Sequence, residues 1–460
     1  MLNSALVKDV LHQALSTGGD FSELFVENKR GESLLMRNGV LEEAVSGITY
    51  GCGLRIFNGG NCVYAYTNDT DRDSLLRLAT QAAAAINKDG GGQVLDFDRK
   101  DVPNAHPIRI QHFDVDKKTK IDLLRTAHAA AMEHDSAVSQ TTCGYASSVQ
   151  NVLIANSEGL WAEDTRVRGR ATIGAIASNA NEKQTGGLNP GALAGFEFME
   201  SLNFADLGAE AARIAVTMLR ADHCPAGTFP VIIDNGFGGV IFHEACGHSV
   251  EATGIVKGAS EFAGKLGQKI AADCVNAVDD GTIQGAWGSI NIDDEGMAGQ
   301  KNVLIKDGIL TSYLVDKLNG QKMRMAPTGS GRRESYRFAP TSRMTNTFIC
   351  NGTHTTAEII SATEYGLYAA KMGGGSVNPA TGEFNFAVLE GYMVRNGKIA
   401  EPVRGATLIG KGGDVLMNID MIGNNLERAQ GICGSVSGGV PTDVGQPMLR
   451  VKQMTVGGRS

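Results

Sequence analysis

Residues 239–250 read GVIFHEACGHSV and place Glu244 directly after His243, with His248 close to the end of the segment. In zinc peptidases whose helix reads HExxH, two histidines four positions apart bind the metal, and the glutamate accepts a proton from the attacking water. His243 and His248 are five positions apart. Because residues of a regular α-helix advance by about 100° each, a five-residue step turns two side chains roughly 140° apart. A metal site here therefore requires a distorted helix.

A π-type turn would supply that distortion, since it adds one residue and brings positions i and i+5 onto one face. Gly247 stands just before the second histidine and lowers the cost of an irregular backbone. The spacing thus predicts a helix bulged near Gly247, with His243 and His248 turned toward one ion. The same spacing is equally compatible with two ordinary buried histidines and with a Glu244 that complements the helix dipole.

The third ligand has to come from elsewhere in the chain, because a catalytic zinc usually takes three protein ligands and keeps one position open. His354, in CNGTHTTAE, is one candidate and is otherwise a loop residue. Cys433, in the glycine-rich GICGSVSGGVPTDVGQP, is the stronger one, because its glycines allow a thiolate to approach a metal closely. We expect Cys246, inside the histidine motif, to face the core.

A second group of candidates follows in GRRESYRFAPTSRMTN, which contains Arg332, Arg333, Tyr336 and Arg343. Arginine suits bidentate contacts with carboxylates. The group is therefore a candidate for binding the carboxylate or the backbone carbonyls of a peptide. Salt bridges that order a long loop, or contacts within a dimer, explain the same residues equally well.

The composition excludes several classes of function. The 460 residues include 42% hydrophobic and 20% charged residues, which is typical of a globular protein of two or three domains. The formal net charge of -8 disfavours a direct nucleic-acid partner, because phosphate backbones are bound through surplus Lys and Arg. No apolar run is long enough for a signal peptide or a membrane span. We expect a soluble, cytoplasmic protein with no membrane partner.

The periodicity of the chain predicts an α+β fold. Apolar residues at helical spacing predict helices over residues 4–16, 71–87, 115–134 and 203–220. Alternating runs predict strands, with hairpin turns at Gly59-Gly60-Asn61, at residues 156–159, at Asp307-Gly308 and at Asn396-Gly397. We predict an N-terminal mixed α/β domain, residues 1–210. A C-terminal, largely antiparallel β domain, residues 211–460, then carries the metal-site helix.

The chain resembles the TldD branch of the TldD/PmbA family, whose members were formerly described as modulators of DNA gyrase and are now understood as metallopeptidases. The resemblance covers nearly the whole chain and is most specific from about residue 230 onward. The motifs that carry it include HEACGHSVEATG, DDGTIQGAWGSINIDDEGMAGQKNVLI, PTGSGRRESYRFAPTSRMTNTFI, EYGLYAAKMGGGSVN and GICGSVSGGVPTDVGQP.

The resemblance implies that His243, His248 and Cys433 hold Zn2+ and that Glu244 is the general base. It also implies that this chain is a catalytic member, because the paralogous TldE or PmbA branch lacks the metal motif. Members of the family form homodimers, or heterodimers of a catalytic and a non-catalytic subunit, and enclose the active site in an internal cavity. They degrade unfolded peptides, and one role is the trimming of leader peptides from modified peptide antibiotics.

We therefore expect a zinc metallopeptidase of HExxxH type that hydrolyses unfolded peptides or leader peptides, with Glu244 assisting the attack of water. Its expected partners are the peptide and either a second copy or a TldE/PmbA-like paralogue. Two alternatives remain open. One is a zinc hydrolase that acts on another amide, and the other is a non-catalytic modulator or binding protein with a structural zinc, which has no need of Glu244.

Overall fold

The first half of the chain builds one eight-stranded sheet in the computed structural model, which describes residues 2–86, 88, 90–378 and 380–459. Its strands are β1 (Phe21–Arg37), β2 (Val40–Asn58), β3 (Asn61–Thr67), β4 (Asp98–Lys100), β5 (Val138–Asn156), β6 (Leu160–Ser178), β7 (Lys183–Leu188) and β8 (Gly191–Ala192). The main order is β3-β2-β1-β5-β6-β4, and both β7 and β8 pair with β6. Neighbouring strands run antiparallel, except that β4 lies parallel to β6.

Five helices accompany this sheet. They are α1 (Ser4–Ala14), α2 (Arg72–Ala84), α3 (Lys117–His134), α4 (Glu197–Ser201) and α5 (Phe204–Arg220). Helices α3 and α5 bury Leu124 and Ala212 in a core shared with β5 and β6. Helices α1 and α2 pack against β1 and β2 in a second core that contains Leu11 and Leu54.

Four of these helices, α1, α2, α3 and α5, are those that the apolar spacing predicts. The side chains of Asn3, Asp71 and Asn203 accept backbone hydrogen bonds at the starts of α1, α2 and α5, as helix-capping residues do. The predicted end of α2, Asn87, lies outside the described residues.

The second half of the chain builds two further large sheets and a short pair of strands. Its strands are β9 (Asp222–His223), β10 (Gly227–Ile233), β11 (Ala277–Asp280), β12 (Lys301–Lys306), β13 (Ile309–Leu310), β14 (Gly331–Arg332), β15 (Thr341–Ser342), β16 (Asn346–Ile349), β17 (Tyr365–Asn378), β18 (Glu383–Arg395), β19 (Lys398–Arg404), β20 (Thr407–Lys411), β21 (Ile419–Ile422), β22 (Glu427–Ser435), β23 (Gly438–Gln446) and β24 (Leu449–Gly457). One sheet has the order β17-β10-β24-β20-β18-β19-β9, with β21 beside β24, and the other has the order β13-β12-β11-β16-β23-β22. Short helices connect them, namely α6 (Val240–Phe242), α7 (Ala252–Ile255), α8 (Lys317–Met323), α9 (Thr356–Ser361) and α10 (Gly412–Asn418).

Antiparallel pairing dominates this half, and the parallel pairs are β10–β17, β16–β23 and β9–β19. The predicted hairpin turns are present. Asp307 and Gly308 join β12 to β13, and Asn396 and Gly397 join β18 to β19, all four with positive φ. Such φ values suit Asn, Asp and Gly in two-residue hairpins. The α+β fold class predicted from the sequence is therefore confirmed.

The two halves meet across buried ion pairs. Arg333 donates to Glu23 at 2.8 Å, and Arg55 donates to Glu295 at 2.7 Å. Helix α5 contains residue 210, at which we divide the chain, and the division itself stays a prediction. Within the residues that the structure describes, no helix combines the length and the apolar character needed to cross a bilayer.

Candidate metal centre

A short, buried helical segment positions the histidine motif. After β10 the chain makes a 3-10 turn at Gly236–Gly239 and enters α6, whose three apolar residues are buried in the core. A side chain at Gly239 would lie 2.5 Å from the backbone of Gly445 in β23. Glycine at this position therefore lets the segment pass directly against β23, which pairs with β22.

The helix is bulged at the predicted place. Residues His243–Gly247 form a π-helix, and the rings of His243 and His248 come to 5.1 Å between centroids. A side chain on Gly247 would lie 2.3 Å from the sulfur of Met344. The glycine thus serves close packing as well as the irregular backbone.

Cys433 on β22 completes a cluster with the two histidines. Its Sγ lies 3.2 Å from His243 Nε2 and 3.1 Å from His248 Nε2, across 190 and 185 residues of sequence. The three ligand atoms all lie within 4.8 Å of one another. Over the described ranges, no other group of three or more His, Cys, Asp or Glu side chains brings its ligand atoms together in this way.

The donor set fits a zinc ion. Burial by itself would raise the pKa of the Cys433 thiol, but the facing His243 and His248 outweigh it and lower the pKa to about 3. Burial would lower the pKa of His248, yet Glu251 and Cys433 raise it well above its usual value. Imidazole nitrogens and thiolates are ligands that zinc prefers. Three such protein ligands leave the fourth coordination position of the ion open.

Glu244 stands at the edge of this cluster. Its side chain is 32% exposed, and its Oε2 lies 3.6 Å from His248 Nε2. The carboxylate therefore faces the same nitrogen that points to Cys433, while it remains accessible from outside. That position suits a group which exchanges protons with water at the centre.

Two buried residues hold the ligands in place. Glu251 Oε2 contacts His248 Nδ1 at 3.1 Å, the contact by which a carboxylate orients a metal-binding histidine. Arg343, which is fully buried, donates to the carbonyl oxygen of Cys433 and to that of Gly438, the second bond at 2.9 Å. Its Nε lies 3.8 Å from Glu251 Oε1, so the same arginine contacts the backbone of Cys433 and the carboxylate that orients His248.

The other predicted candidates lie in different surroundings. Cys246 is buried in the hydrophobic core, as the sequence predicts, and burial raises the pKa of its thiol. His354 lies outside the cluster, with its Nδ1 at 3.3 Å from the carbonyl oxygen of Ile422.

The candidate peptide-binding residues are all buried, and each has contacts within the protein. Arg332 donates to Pro441 O at 2.8 Å, and the backbone N–H of Tyr336 donates to Glu27 Oε2 at 2.9 Å. Arg333 bonds Glu23, and Arg343 bonds the β22–β23 hairpin. These contacts tie the segment to its surroundings, and the binding of a peptide by these residues stays a prediction.

Sequence reasoning missed Glu251, although a signal for it exists. An acidic residue three positions after a metal-binding histidine can reach back to the free ring nitrogen in a helical turn. The contact of Arg343 with Cys433 has no such signal, because 90 residues separate the two.

Comparison with known proteins places this centre in a family. Three sequence models of PmbA/TldA metallopeptidases match the chain, as domain 1 over residues 22–86, the central domain over 111–219 and the C-terminal domain over 226–458. The chain belongs to the PmbA/TldA metallopeptidase family. A homologue from Haemophilus influenzae, named metalloprotease TldD homolog, is 35% identical to this chain. The match covers 95% of this chain and 93% of the homologue. The homologue from Buchnera aphidicola is 33% identical over the same shares of both chains.

A more distant relative and two solved structures add to this. A zinc metalloprotease TldD homologue from Saccharolobus solfataricus is 31% identical over 53% of this chain and 54% of its own. A Thermotoga maritima protein described as a modulator of a DNA gyrase has the same fold, with a TM-score of 0.80, 22% identity and coverage of 98% and 99%. TldE from Thermococcus kodakarensis follows with a TM-score of 0.74, 16% identity and the same coverage.

Proposed function

We propose that this protein is a zinc-dependent peptidase that hydrolyses unfolded peptides or leader peptides. The observation that carries the proposal is the cluster of His243, His248 and Cys433, with ligand atoms within 4.8 Å and Glu244 beside them. The name of the Saccharolobus relative supports zinc as the metal. A zinc ion held there would supply a Lewis acid for the attack of water on a peptide carbonyl.

Glu244 is the general base and acid in this proposal. Its carboxylate accepts a proton from the attacking water and delivers that proton to the leaving amine. Glu251 keeps the ring of His248 in orientation through Nδ1, and Arg343 holds the strand that carries Cys433. These residues keep the donor atoms in place while Glu244 moves the proton.

A groove suits an extended peptide and lies beside the hairpin of β22 and β23, which carries Cys433 and is called the metal-bearing hairpin below. A cavity of about 460 Å3 lies between the first sheet and Trp287, with Lys29, Val45 and Ile48 in its lining. Within the described part of the chain, β3 pairs only with residues 52–58 of β2, so the edge of residues 40–50 carries no further strand. A free edge binds extended peptides through their main chain and demands little of the sequence.

The same proposal covers the partners and the place of action. The structural likeness to TldE and the family's paired subunits support either a homodimer or a heterodimer with a TldE/PmbA-like paralogue. We propose action in the cytoplasm, where eight free cysteines suit reducing conditions. Nucleic acid and membranes have no direct role in this proposal.

The rival function is a non-catalytic modulator with a structural zinc. Glu244 distinguishes the two, because a structural site is usually closed by four ligands and needs no base. The position of Glu244, 3.6 Å from His248 Nε2 and partly exposed, favours the peptidase.

Glu244→Gln tests the proposal, with Glu401→Gln as the matched control on an exposed ion pair. We measure zinc per chain and the cleavage of an unstructured peptide by mass spectrometry. The expected result for Glu244→Gln is one zinc per chain and a cleavage rate lowered about 100-fold to 10,000-fold, the usual share of a general base. Cleavage at the rate of the parent protein by zinc-loaded Glu244→Gln would refute the mechanism.

A further inference from the structure

Two buried arginines form no ion pair within the described part of the chain, in contrast to the other buried arginines there. Six arginines are classed as buried in the described chain, and four of them contact a carboxylate oxygen at 2.6–3.8 Å, namely Arg55, Arg166, Arg333 and Arg343. Arg168 and Arg332, 7% and 4% exposed, form no ion pair with any described residue. Arg168 donates instead to the carbonyl oxygens of Trp287 and Ser289, at 3.1 and 3.0 Å.

Like charges lie close to both arginines, in addition to the lack of a direct ion pair with a described residue. Burial first, and then the neighbouring Arg332 and Arg166, lower the pKa of Arg168 to about 9. Burial lowers the pKa of Arg332 to about 10, with Arg343 and Arg166 adding to the effect. The charge of Asp294 opposes both shifts, together with Asp164 for Arg168 and Asp279 for Arg332. Both groups nevertheless remain protonated at neutral pH. A buried guanidinium without a counter-ion is unfavourable unless something supplies the missing negative charge.

Both arginines line one cavity. Its volume is about 160 Å3, several times the ~30 Å3 that a water molecule occupies in the liquid. Lys29, which is half-buried and forms no ion pair with a described residue, lines it too. Two acidic groups also line the cavity: Asp294, which pairs with Arg166, and the exposed Glu334, which accepts the N–H of Gly439 at 2.7 Å. Arg166, Arg168, Arg332, Arg333 and Lys29 outnumber them, so the lining is positively charged.

The cavity adjoins both the groove and the metal-bearing hairpin. It shares Lys29, Ser148, Arg168 and Trp287 with the larger groove between the first sheet and Trp287. Ile432 and Val440 also line it, and these flank Cys433, because Cys433 and Val440 are paired across β22 and β23. A peptide lying in the groove would therefore present its groups to this cavity.

We propose that this cavity binds a carboxylate of the peptide, through Arg168 with Arg332 and Lys29. Charge-assisted hydrogen bonds from a guanidinium to a carboxylate are stronger than those to carbonyls, so the peptide supplies the charge that the protein lacks. The carboxylate is either an acidic side chain or the C-terminal group. The inference rests on the proposed function only in taking a peptide as the ligand.

The test measures binding, so that its result does not depend on cleavage. Zinc-loaded protein carrying Glu244→Gln keeps the peptides intact. Four fluorescent versions of one unstructured peptide are used, with Glu or Gln at one internal position and with a free or amidated C-terminus. We expect about tenfold tighter binding, or about 1.4 kcal/mol, for the peptides that carry the recognised carboxylate. The pair that differs in affinity shows whether the side chain or the C-terminus is bound.

Variants then locate the effect. Arg168→Met should reduce the preference to within twofold, and Arg168→Lys should retain part of it. Arg170→Met is the matched control, since Arg170 is on the same strand and stacks over Trp287 at 5.7 Å without lining the cavity. Lys29→Gln, at a half-buried position, should weaken the preference for the carboxylate. This variant replaces the Arg168 variants in the test if those do not fold.

A second signal reports on the cavity itself. Because the chain has two tryptophans, Trp161→Phe leaves Trp287 as the sole emitter, and its fluorescence should respond to the carboxylate peptides. Equal affinity for all four peptides at low salt would overturn the proposal, as would an unchanged preference in Arg168→Met and Lys29→Gln. A carboxylate preference in a protein that cleaves no peptide would refute the proposed function and leave this inference standing.

Discussion

Glu251→Gln tests whether the contact behind His248 sets the strength of the metal centre. Glu251 is 7% exposed, and its Oε2 lies 3.1 Å from His248 Nδ1. Glutamine keeps the size of the side chain but removes the charge that strengthens this hydrogen bond. Changes at such supporting carboxylates typically weaken metal binding by about 10-fold to 100-fold. We therefore expect a zinc affinity lower by about 1.4–2.8 kcal/mol.

The assay is competition for zinc against a fluorescent chelator of known affinity, at one pH and one ionic strength. Cobalt replaces zinc in a parallel titration, because its absorption bands report on thiolate and imidazole ligands. The bands should keep their thiolate character in Glu251→Gln, since Cys433 is unchanged, while the affinity falls.

Glu401→Gln is the control, because Glu401 pairs with Arg395 on the surface and is 44% exposed. Its zinc affinity should equal that of the parent protein. A zinc affinity of Glu251→Gln within twofold of the control would refute the argument that Glu251 orients His248. A loss of folding in metal-free Glu251→Gln, seen as an absent thermal transition, would show instead that the carboxylate serves the fold.

Three further predictions concern the ligands, the bulge and the contact between the halves. Cys433→Ser should lose its bound zinc in metal analysis, whereas Cys246→Ser should keep it, and equal zinc in both would exclude Cys433 as the third ligand. Gly247→Ala should lower the free energy of unfolding by about 1–3 kcal/mol, because the added carbon would lie 2.3 Å from a packed methionine sulfur; an unchanged denaturant midpoint would contradict this. Arg333→Met should cost about 3–5 kcal/mol, because the buried carboxylates of Glu23 and Glu295 would then share Arg55 alone. The exposed Arg395→Met should cost at most about 1 kcal/mol, and equal losses would contradict the buried ion pair.

Local features of the fold could be predicted because they depend on near neighbours in the chain. The turns at Asp307-Gly308 and Asn396-Gly397 follow from residues that tolerate positive φ. The π-helix at His243–Gly247 follows from the five-residue spacing on the condition that both histidines face one ion, because a regular helix would turn them apart. The helix starts follow from capping side chains and apolar spacing.

The surroundings of the candidate residues could not be predicted in the same way. Arg333 and Arg343 look alike in sequence, as cations in the segment GRRESYRFAPTSRMTN. One bonds Glu23, 310 residues away, and the other bonds the carbonyl oxygen of Cys433, 90 residues away. Nothing within a few residues of either arginine specifies these partners. The sequence alone therefore does not distinguish a peptide-binding role from a structural role.

The sequence by itself determined the α+β class, the hairpins and the bulged helix, and it singled out Glu244, His243 and His248 as candidates for a base and two metal ligands. Each depends on side-chain types at fixed short spacings, where covalent geometry limits the outcomes. Only the tertiary structure decided that Cys433 Sγ lies within 3.2 Å of both histidine nitrogens, and that Glu251 supports one of them. It also decided that Arg168 forms no ion pair with any residue that the structure describes. These features arise from strands packed across long stretches of chain, and such packing decides which buried charges lie close enough to form ion pairs.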